Sequence, residues 1–400
     1  MAAVKALLLE NIHSEATRIL TESGFEVENR PGGLNEDELI EALEGVDFLG
    51  IRSRTYVTEK VLQARGDTLQ AIGAFCIGTN QIDLAEAAHR GVAVFNAPYS
   101  NTRSVVELAI GEIIMMARHL GDKSAMMHAG VWDKSAKGAH EVRGRTLGIV
   151  GYGNIGSQLS VVAEALGMRV VFYDVADKLA LGNARKAESL DELLAECETI
   201  TLHVDGRASN ANFFGAAEFA KMRPRSLFLN LCRGIVVDHH ALVENLKSGH
   251  IAGAAIDVFP SEPKLVGDPF VSELQGLPNV ILTPHIGGST QEAQTDIGRF
   301  VAGKLSDYAK FGSTGMSVNL PQIVSPALEG TRVLHLHRNV PGVMARLNQV
   351  FSEHGANIGS QQLSTKGEYG YSVTDVSNIN EDLLDTLQAL PETIRARVIG

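Results

Sequence analysis

The sequence predicts an α/β protein in which a doubly wound parallel sheet is inserted into a smaller parallel α/β domain and followed by a separate carboxyl-terminal module. Three observations predict this class. Short apolar runs alternate with helical patterns from residue 4 to residue 100, a glycine-rich turn lies between two apolar runs over residues 146–174, and the chain after residue 330 restarts in the order βαββαβ. A length of 400 residues is enough for two or three such domains.

The amino-acid composition indicates which classes of binding partner are unfavourable. Lys and Arg number 35 and Asp and Glu 47, so the formal net charge is −12, and nucleic acids and anionic membranes are poor partners. The three cysteines form no CxxC pair, which disfavours a disulfide framework or a metal site and fits a reducing compartment. The amino-terminal apolar run is too short for a signal or membrane-spanning segment, so we expect a cytoplasmic protein.

The first hundred residues are typical of a small parallel α/β unit without a nucleotide-binding fingerprint of its own. A long helix from residue 102 to about 120 crosses into the second domain, and a helix over 289–312 returns to the first. We therefore assign 1–100 and 288–329 to one domain and 101–287 to the inserted one. Strands are predicted over 4–9, 25–27, 48–51, 69–72 and 92–95, and helices before residue 24, over 36–43 and near 84–89.

The inserted domain begins with a strand, a tight turn, a helix and a second strand. Gly151 permits the turn, Gly153 lets backbone amides approach a pyrophosphate, and Gly156 lets the helix pack on the strand. Asp174 ends the second strand, where its carboxylate can accept hydrogen bonds from ribose hydroxyls and would repel a 2′-phosphate. The pattern therefore predicts a Rossmann-type site for NAD rather than NADP. The residues predicted to hold the dinucleotide at this turn are Gly151, Gly153, Asn154, Ile155, Gly156 and Asp174.

Further apolar runs predict the remaining strands of the doubly wound sheet and the elements of the module that follows it. Pro321, Pro326 and Gly330 fall close together and predict a linker, which places the module at 330–400. The module holds few acid–base groups, so we expect it to bind a ligand rather than to catalyse. Strands are predicted at 200–204, 227–231, 254–258 and 280–283 in the inserted domain and at 332–337, 357–363, 369–376 and 394–399 in the module, with module helices at 341–354 and 381–390.

Three polar side chains stand directly after predicted strands of the inserted domain, at the sheet edge where doubly wound folds bind ligands. His285 is the natural acid–base group because its pKa is near neutrality, and Glu262 could orient the imidazole and favour its charged form. Arg233 could grip a substrate carboxylate through two parallel hydrogen bonds. Hydride exchange with a nicotinamide needs such a set, although by spacing alone each residue could equally be structural.

The motifs GYGNIG with Asp174, NLCRGIVVD, AIDVFPSEP and LTPHIGGSTQEAQ, in this order and spacing, resemble the NAD-dependent D-2-hydroxyacid dehydrogenase family. IRSRT, FCIGTNQIDL, FNAPYSNTRSVVE and HLHRNVPGV narrow the resemblance to the branch that oxidises 3-phospho-D-glycerate to 3-phosphohydroxypyruvate, the first step of phosphorylated L-serine synthesis. The resemblance implies a flavodoxin-like substrate domain around the Rossmann domain and a single carboxyl-terminal, ferredoxin-like ACT domain. It also implies Arg233, Glu262 and His285 as the catalytic set.

The resemblance further implies contacts near the nicotinamide from His203, Cys232 and Asp257. Two departures bear on them. Leu231-Cys232 stands where the family usually has a small pair before the arginine, and Asp205 follows His203-Val204 where the family usually has proline.

The resemblance also implies two sites away from the nicotinamide. The phosphate end of the substrate would be contacted by Arg52, Ser53, Arg54, Asn101 and Gln294. Feedback inhibition would come from L-serine bound across a subunit interface, in a homotetramer, by His337, Asn339 and Asn357. From the residues alone, the favoured interpretation of IRSRT is a solvated loop with two surface charges.

Three alternatives stay open. The chain could reduce 2-oxoglutarate to 2-hydroxyglutarate, or it could be a non-catalytic NAD-sensing binding protein. The ACT module could also sense an amino acid other than serine.

Overall fold

The computed structural model describes residues 4–263, 267–326, 330–378 and 382–400. It divides into two compact units, Met1–Ser100 with Gln294–Gly400, and Asn101–Ala293. The predicted α/β class with its parallel sheets and carboxyl-terminal module is confirmed, whereas the division into three domains at 287/288 and 329/330 stays a prediction. Within these described ranges, no helix is both long and apolar enough to cross a bilayer.

The first unit contains a five-stranded parallel sheet in the flavodoxin-like order β2-β1-β3-β4-β5. Its central strands are buried because helices cover both faces of the sheet. The fourth strand begins two residues later than predicted, and a third helix not expected from the pattern precedes it. The elements are β1 (Val4–Leu8), α1 (Ser14–Glu22), β2 (Phe25–Asn29), α2 (Glu36–Ala42), β3 (Phe48–Ile51), α3 (Glu59–Arg65), β4 (Ala71–Ala74), α4 (Leu84–His89) and β5 (Ala93–Asn96).

The second unit contains a seven-stranded parallel sheet in the order β12-β11-β10-β9-β6-β7-β8. The order reverses between β6 and β9, so the carboxyl ends of these strands border the crevice in which doubly wound sheets bind dinucleotides. The long helix expected to about residue 120 ends at Ala117, and His119, with a left-handed φ of 53°, separates it from the next helix. The helices of this unit are α5 (Thr102–Ala117), α6 (Leu120–His128), α7 (Asn154–Ala165), α8 (Leu190–Glu196), α9 (Ala216–Lys221) and α10 (His239–Lys247). Its strands are β6 (Thr146–Val150), β7 (Arg169–Tyr173), β8 (Arg185–Lys186), β9 (Thr199–Leu202), β10 (Ser226–Asn230), β11 (Ile251–Ile256) and β12 (Val280–Leu282).

After α11 (Gln291–Phe311), the chain forms the predicted βαββαβ module, whose antiparallel sheet has the order β14-β15-β13-β16. Leu334 and Tyr371 of this sheet share one apolar core with Leu305 and Tyr308 of α11. The predicted linker includes 327–329 and the predicted second helix includes Glu381, which lie outside the described residues. The module's elements are β13 (Thr331–Arg338), α12 (Val343–Glu353), β14 (Asn357–Lys366), β15 (Tyr369–Ser377), α13 (Leu383–Gln388) and β16 (Thr393–Ile399).

Candidate active site

The glycine-rich turn after β6 has the geometry of a dinucleotide cradle. A Cβ on Gly151, whose φ is +96°, would lie 2.5 Å from the His203 carbonyl oxygen, and one on Gly156 would lie 2.2 Å from the Gly151 carbonyl oxygen. At Gly153, by contrast, a Cβ would meet no described atom within 4 Å, so the space in front of the turn is open. Gly153 also caps α7 without a side-chain bond, which leaves the first helical N–H groups available to a pyrophosphate. These residues fit NAD.

Asp174 lies after β7 and is held by the turn itself. Its carboxylate accepts hydrogen bonds from the Tyr152 N–H at 2.7 Å and from the Ala176 N–H at 2.8 Å. The Tyr152 ring is buried and stacks on Phe172 with ring centroids 3.7 Å apart. Each carboxylate oxygen retains a lone pair, so Asp174 can still accept from ribose hydroxyls. Sequence reasoning missed Tyr152, which connects the glycine turn to the predicted ribose-binding carboxylate.

His285 and Glu262 form the central pair of the site. The Nδ1 atom of His285 lies 2.9 Å from Oε2 of Glu262, and the Phe259 N–H donates to Oε1 of Glu262 at 3.0 Å. The hydrogen bond with Glu262 raises the pKa of His285 against the opposing effect of burial. Burial acts to raise the pKa of Glu262, but the bonds from His285 and Phe259 leave that pKa lowered. The half-exposed imidazole can therefore take up a proton at Nε2 while Glu262 balances the charge.

The turn that carries His285 is fixed by Asp257. This carboxylate is 1% exposed and accepts hydrogen bonds from the Thr283 hydroxyl at 2.7 Å and from the Ile286 and Gly287 N–H groups, each at 2.8 Å. The three bonds hold His285 in a left-handed conformation with a φ of 54°, which is unfavourable for a residue with a Cβ. The predicted nicotinamide contact of Asp257 stays a prediction. Its positioning of His285 was missed, although an acidic residue after a buried strand signals a need for hydrogen-bond donors.

Arg233 follows β10 and precedes a single 3₁₀ turn, Gly234–Val236. This turn crosses the segment leading to Glu262 so closely that a Cβ on Gly234 would lie 2.0 Å from the carbonyl carbon of Phe259. The crossing places the positive charge of Arg233 near both groups, where it contributes to the lowered pKa of Glu262 and opposes the larger rise that Glu262 causes in the pKa of His285. The structure thus brings together all three residues of the predicted catalytic set.

The close approach of Gly234 to the Phe259 backbone can be tested by substitution. We expect Gly234→Ala to displace the Arg233 turn, because backbone atoms that close cannot yield as a flexible side chain does, and to lower the free energy of unfolding by about 3 kcal/mol. Catalytic efficiency should fall with it. Thermal unfolding and kcat/KM would be measured together, with Gly303→Ala as the control, since a Cβ there meets no described atom within 4 Å. A Gly234→Ala enzyme with the stability and rate of the wild type would contradict the expectation.

Asp205 lies in a charged loop beside Arg233. The Asp205 carboxylate bonds bidentately to Arg207 and accepts a hydrogen bond from Asn210 at 3.1 Å. A Cβ on the adjacent Gly206 would lie 2.9 Å from Cγ of Arg233. Asp205 and Arg207 thus form a salt-bridged loop whose glycine packs on the stem of Arg233.

Cys232 and His203 are the other two residues predicted near the nicotinamide. Burial raises the pKa of the Cys232 thiol to about 11, and its Sγ lies 3.1 Å from Oδ1 of Asn230, so it is a neutral donor rather than a nucleophile. Burial lowers the pKa of His203 to about 4, and its Nε2 lies 3.0 Å from the Thr201 hydroxyl. His203 is therefore neutral. Within the described ranges, no cluster of three or more His, Cys, Asp or Glu side chains is arranged to hold a metal ion.

The predicted phosphate loop lies in the first unit, after β3, and a buried carboxylate organises it. Oxygen atoms of Glu10 accept the N–H groups of Arg52 at 3.2 Å, Ser53 at 3.0 Å, Arg54 at 2.9 Å and Thr55 at 2.9 Å. These four bonds turn the loop around a single side chain, which is 7% exposed. Sequence reasoning missed Glu10.

A second buried side chain, Gln81, also holds the loop. The Gln81 amide donates to the Arg52 carbonyl at 2.5 Å, and the loop's backbone is therefore held by both its N–H and its C=O groups. The other two predicted substrate residues lie elsewhere in the chain. Asn101 directly precedes α5, and a Cβ on Gly288 would lie 2.5 Å from its Nδ2. Gln294 lies in the first turn of α11.

The predicted effector residues do not meet within one chain. His337 pairs with Gly370 on β15 and Asn339 bonds to the Gly367 carbonyl, whereas Asn357 pairs with Ser377 at the far end of β15. The two positions on β15, Gly370 and Ser377, are seven residues apart, which corresponds to about 23 Å along an extended strand. Burial lowers the pKa of His337, whose Nε2 is buried without a partner among the described residues. A site that uses all three residues therefore requires a second chain.

Comparison with known proteins agrees with this geometry. Residues 110–287 match the family model described as D-isomer specific 2-hydroxyacid dehydrogenase, NAD binding domain, and residues 333–395 match an AHAS small subunit-like ACT domain. The chain is 49% identical over 400 residues to the D-3-phosphoglycerate dehydrogenase of Escherichia coli (strain K12), covering 99% of this chain and 97% of that protein. It is 47% identical to D-3-phosphoglycerate dehydrogenase 2 of Saccharomyces cerevisiae, covering 97% and 85% respectively.

Solved structures give the same picture. A D-2-hydroxyisocaproate dehydrogenase superimposes with a TM-score of 0.71 at 25% identity, over 79% of this chain and all of that one. The TT0316 protein of Thermus thermophilus superimposes with a TM-score of 0.67 at 29% identity, over 75% of this chain and 94% of that one.

Proposed function

Because the chain belongs to the D-3-phosphoglycerate dehydrogenases of the D-isomer specific 2-hydroxyacid dehydrogenase family, we propose that it oxidises 3-phospho-D-glycerate to 3-phosphohydroxypyruvate. This is the first step of phosphorylated L-serine synthesis. The enzyme is an NAD-dependent oxidoreductase. The observation that carries the proposal is the His285–Glu262 pair beside Arg233, in the same unit as the NAD cradle.

The catalytic set divides the reaction between its members. NAD, when bound, supplies the acceptor for the hydride that leaves C2. Nε2 of His285 accepts the C2 hydroxyl proton, and the Glu262 carboxylate stabilises the imidazolium that results. Arg233 pairs with the C1 carboxylate and holds C2 in place; in the reductive direction the same guanidinium polarises the carbonyl and His285 returns the proton.

The phosphate of the substrate is assigned to the loop that Glu10 organises. Arg52 and Arg54 supply charge, Ser53 supplies a hydroxyl, and Asn101 and Gln294 complete the proposed contacts. Because the chain is acidic overall, with a net charge of −12, an anionic substrate needs such a local cluster. The unphosphorylated 2-oxoacids would not use this loop.

We further propose that L-serine inhibits the enzyme by binding between ACT modules of neighbouring chains in a cytoplasmic homotetramer. His337 and Asn339 would come from one chain and Asn357 from the other, which fits their separation along β15. Imidazole and amide groups suit the carboxylate and ammonium of an amino acid.

The deciding assay follows NADH oxidation with 3-phosphohydroxypyruvate, with and without L-serine. We expect turnover that serine suppresses, and kcat/KM for 2-oxoglutarate well below that for the phosphorylated acid. Turnover indifferent to serine would remove the effector assignment and keep the enzyme. Turnover only with 2-oxoglutarate would replace the substrate, and tight NADH binding without turnover would indicate a binding protein.

A further inference from the structure

A cavity of about 680 Å³ lies in the first unit, between the flavodoxin-like sheet and the ACT module. Neither the proposed reaction nor the proposed inhibition by serine uses this cavity. Its walls come from residues 67–70, the end of α4, the end of β13, the end of α13 and the start of β16. Four arginines line it, and we call it the arginine cavity. They are Arg90, Arg338, Arg395 and Arg397.

The arginine cavity is not the substrate loop. Residues 67–70 directly precede β4, at the amino end of the parallel sheet, whereas Arg52 and Arg54 directly follow β3, at its carboxyl end. Neighbouring parallel strands run in the same direction, so the two places lie at opposite ends of the sheet. A ligand in the arginine cavity therefore does not occupy the proposed substrate site.

Arg395 is largely buried in the cavity wall, and no carboxylate of the described residues pairs with it. Its guanidinium donates to the backbone carbonyls of Leu69 at 2.6 Å, Asp67 at 3.2 Å and Gly66. Burial lowers the pKa of Arg395, which reflects the cost of a charge that neutral carbonyl oxygens only partly balance. A buried guanidinium held in this way favours an additional negative charge nearby.

Two more arginines of the cavity also lack an acidic partner within the described ranges. Arg397 donates to the Gln70 side-chain oxygen and stacks over the Tyr308 ring at 4.4 Å. The guanidinium of Arg338 has no hydrogen-bond or ion-pair partner among the residues that the structure describes. Arg90 differs, because it meets the carboxylates of Glu86 at 2.9 Å and Asp67 at 3.4 Å. Among these residues four positive charges thus face two negative ones, which is a local excess of cations in a chain of net charge −12.

The neighbouring strand shows how this sheet treats a buried arginine that needs no ligand. Arg332 on β13 is 1% exposed and makes a bidentate pair with Asp375, at 2.6 and 3.0 Å. Arg395 and Arg397, on the next strand, have no such carboxylate in the described part of the chain. The positive charges of Arg395 and Arg397 can therefore attract an anion from outside the chain.

We propose that the arginine cavity binds a multivalent oxyanion, either inorganic phosphate or the phosphate group of a small metabolite. Guanidinium forks match phosphate oxygens in bidentate geometry, and the volume lies within the range of small-molecule sites. The bound anion bridges Arg90, which follows α4 in the flavodoxin-like part of the first unit, to Arg338 and Arg395 of the ACT module. It therefore stabilises the packing of the module on the sheet.

Equilibrium dialysis of radiolabelled inorganic phosphate against the full-length protein, at about 0.15 M KCl to screen weak surface binding, tests this assignment. We expect Arg338→Gln to weaken phosphate binding about tenfold and Arg338→Lys to retain most of it, because the charge persists. The guanidinium of Arg338 has no partner to lose among the described residues, and its backbone bonds persist in a variant, so the variants should fold. The matched control is Arg143→Gln, an exposed arginine paired with the exposed Glu141.

An Arg54→Gln variant separates the arginine cavity from the substrate loop. We expect phosphate binding that survives Arg54→Gln and becomes about tenfold weaker when Arg338→Gln is added. Competition by a phosphate ester, glycerol 3-phosphate, identifies the source: displacement at lower concentration than unlabelled phosphate indicates a metabolite, and the reverse indicates the free ion. Loss of all phosphate binding in Arg54→Gln alone, or equal binding by Arg338→Gln and wild type, would overturn the proposal.

Discussion

Replacing His285 with glutamine should lower kcat by about a thousandfold while NADH binding stays unchanged, because general acid–base catalysis of this kind contributes about 10² to 10⁴ in rate. Glutamine can keep a hydrogen bond to Glu262 but cannot carry the C2 hydroxyl proton. The variant therefore removes the chemistry and keeps the packing. Steady-state kinetics in both directions, with NADH binding measured by fluorescence, distinguish these two contributions.

The protein contains its own matched control for this substitution. His240 lies 3.2 Å from Glu273, is more exposed than His285, and belongs to the same unit. His240→Gln should leave kcat and KM at the wild-type values. Equal losses in the two variants would mean that the effect comes from losing any histidine–carboxylate pair, and the catalytic assignment of His285 would then be wrong.

The pH profile gives a second test of the pair. Glu262 raises the pKa of His285, so Glu262→Gln should lower it. Oxidation requires the neutral imidazole, and its low-pH limb should therefore move to lower pH in the variant. Reduction requires the protonated imidazole, so its high-pH limb should also move to lower pH. Unmoved limbs in both directions would show that His285 is not the titrating group.

Glu10→Gln should be strongly damaging although Glu10 lies outside the catalytic set. The amide presents N–H donors where the backbone N–H groups of residues 52–55 need an acceptor, so the loop loses its hold. We expect the free energy of unfolding to fall by about 3 kcal/mol and kcat/KM for the phosphorylated substrate to fall about a hundredfold, since displacements near 1 Å have such effects. Thermal unfolding and steady-state kinetics measure both.

Comparing a phosphorylated with an unphosphorylated substrate distinguishes displacement of the proposed phosphate loop from a general loss of stability. Efficiency with unphosphorylated hydroxypyruvate should fall much less than with 3-phosphohydroxypyruvate, and Arg54→Ala should show the same selectivity with near-normal stability. Glu28→Gln, which changes an exposed glutamate paired with Arg30, serves as the control. A Glu10→Gln enzyme with unchanged KM for the phosphorylated acid would remove the loop from the substrate site.

Several features of the molecule followed from sequence alone because their causes are local. Apolar periodicity predicts most of the strands and helices of the two parallel sheets and the ACT module. The spacing of Gly151, Gly153 and Gly156 predicts the cradle. The positions of Arg233, Glu262 and His285 just past strand ends indicated a shared edge, because parallel strands of one sheet end on the same side. The motifs then identified the family.

Tertiary structure decided how those residues are held and which others serve them. Glu10 meets residues more than forty positions away, Asp257 meets residues 26 to 30 positions away, and Gly234 crosses the Phe259 backbone; none of these contacts has a periodic or compositional signal. The pairing of strands placed Asn357 and His337 at opposite ends of β15. The packing of distant segments placed four arginines around one cavity. Local patterns specify elements, whereas the partners of buried polar groups depend on which elements pack together.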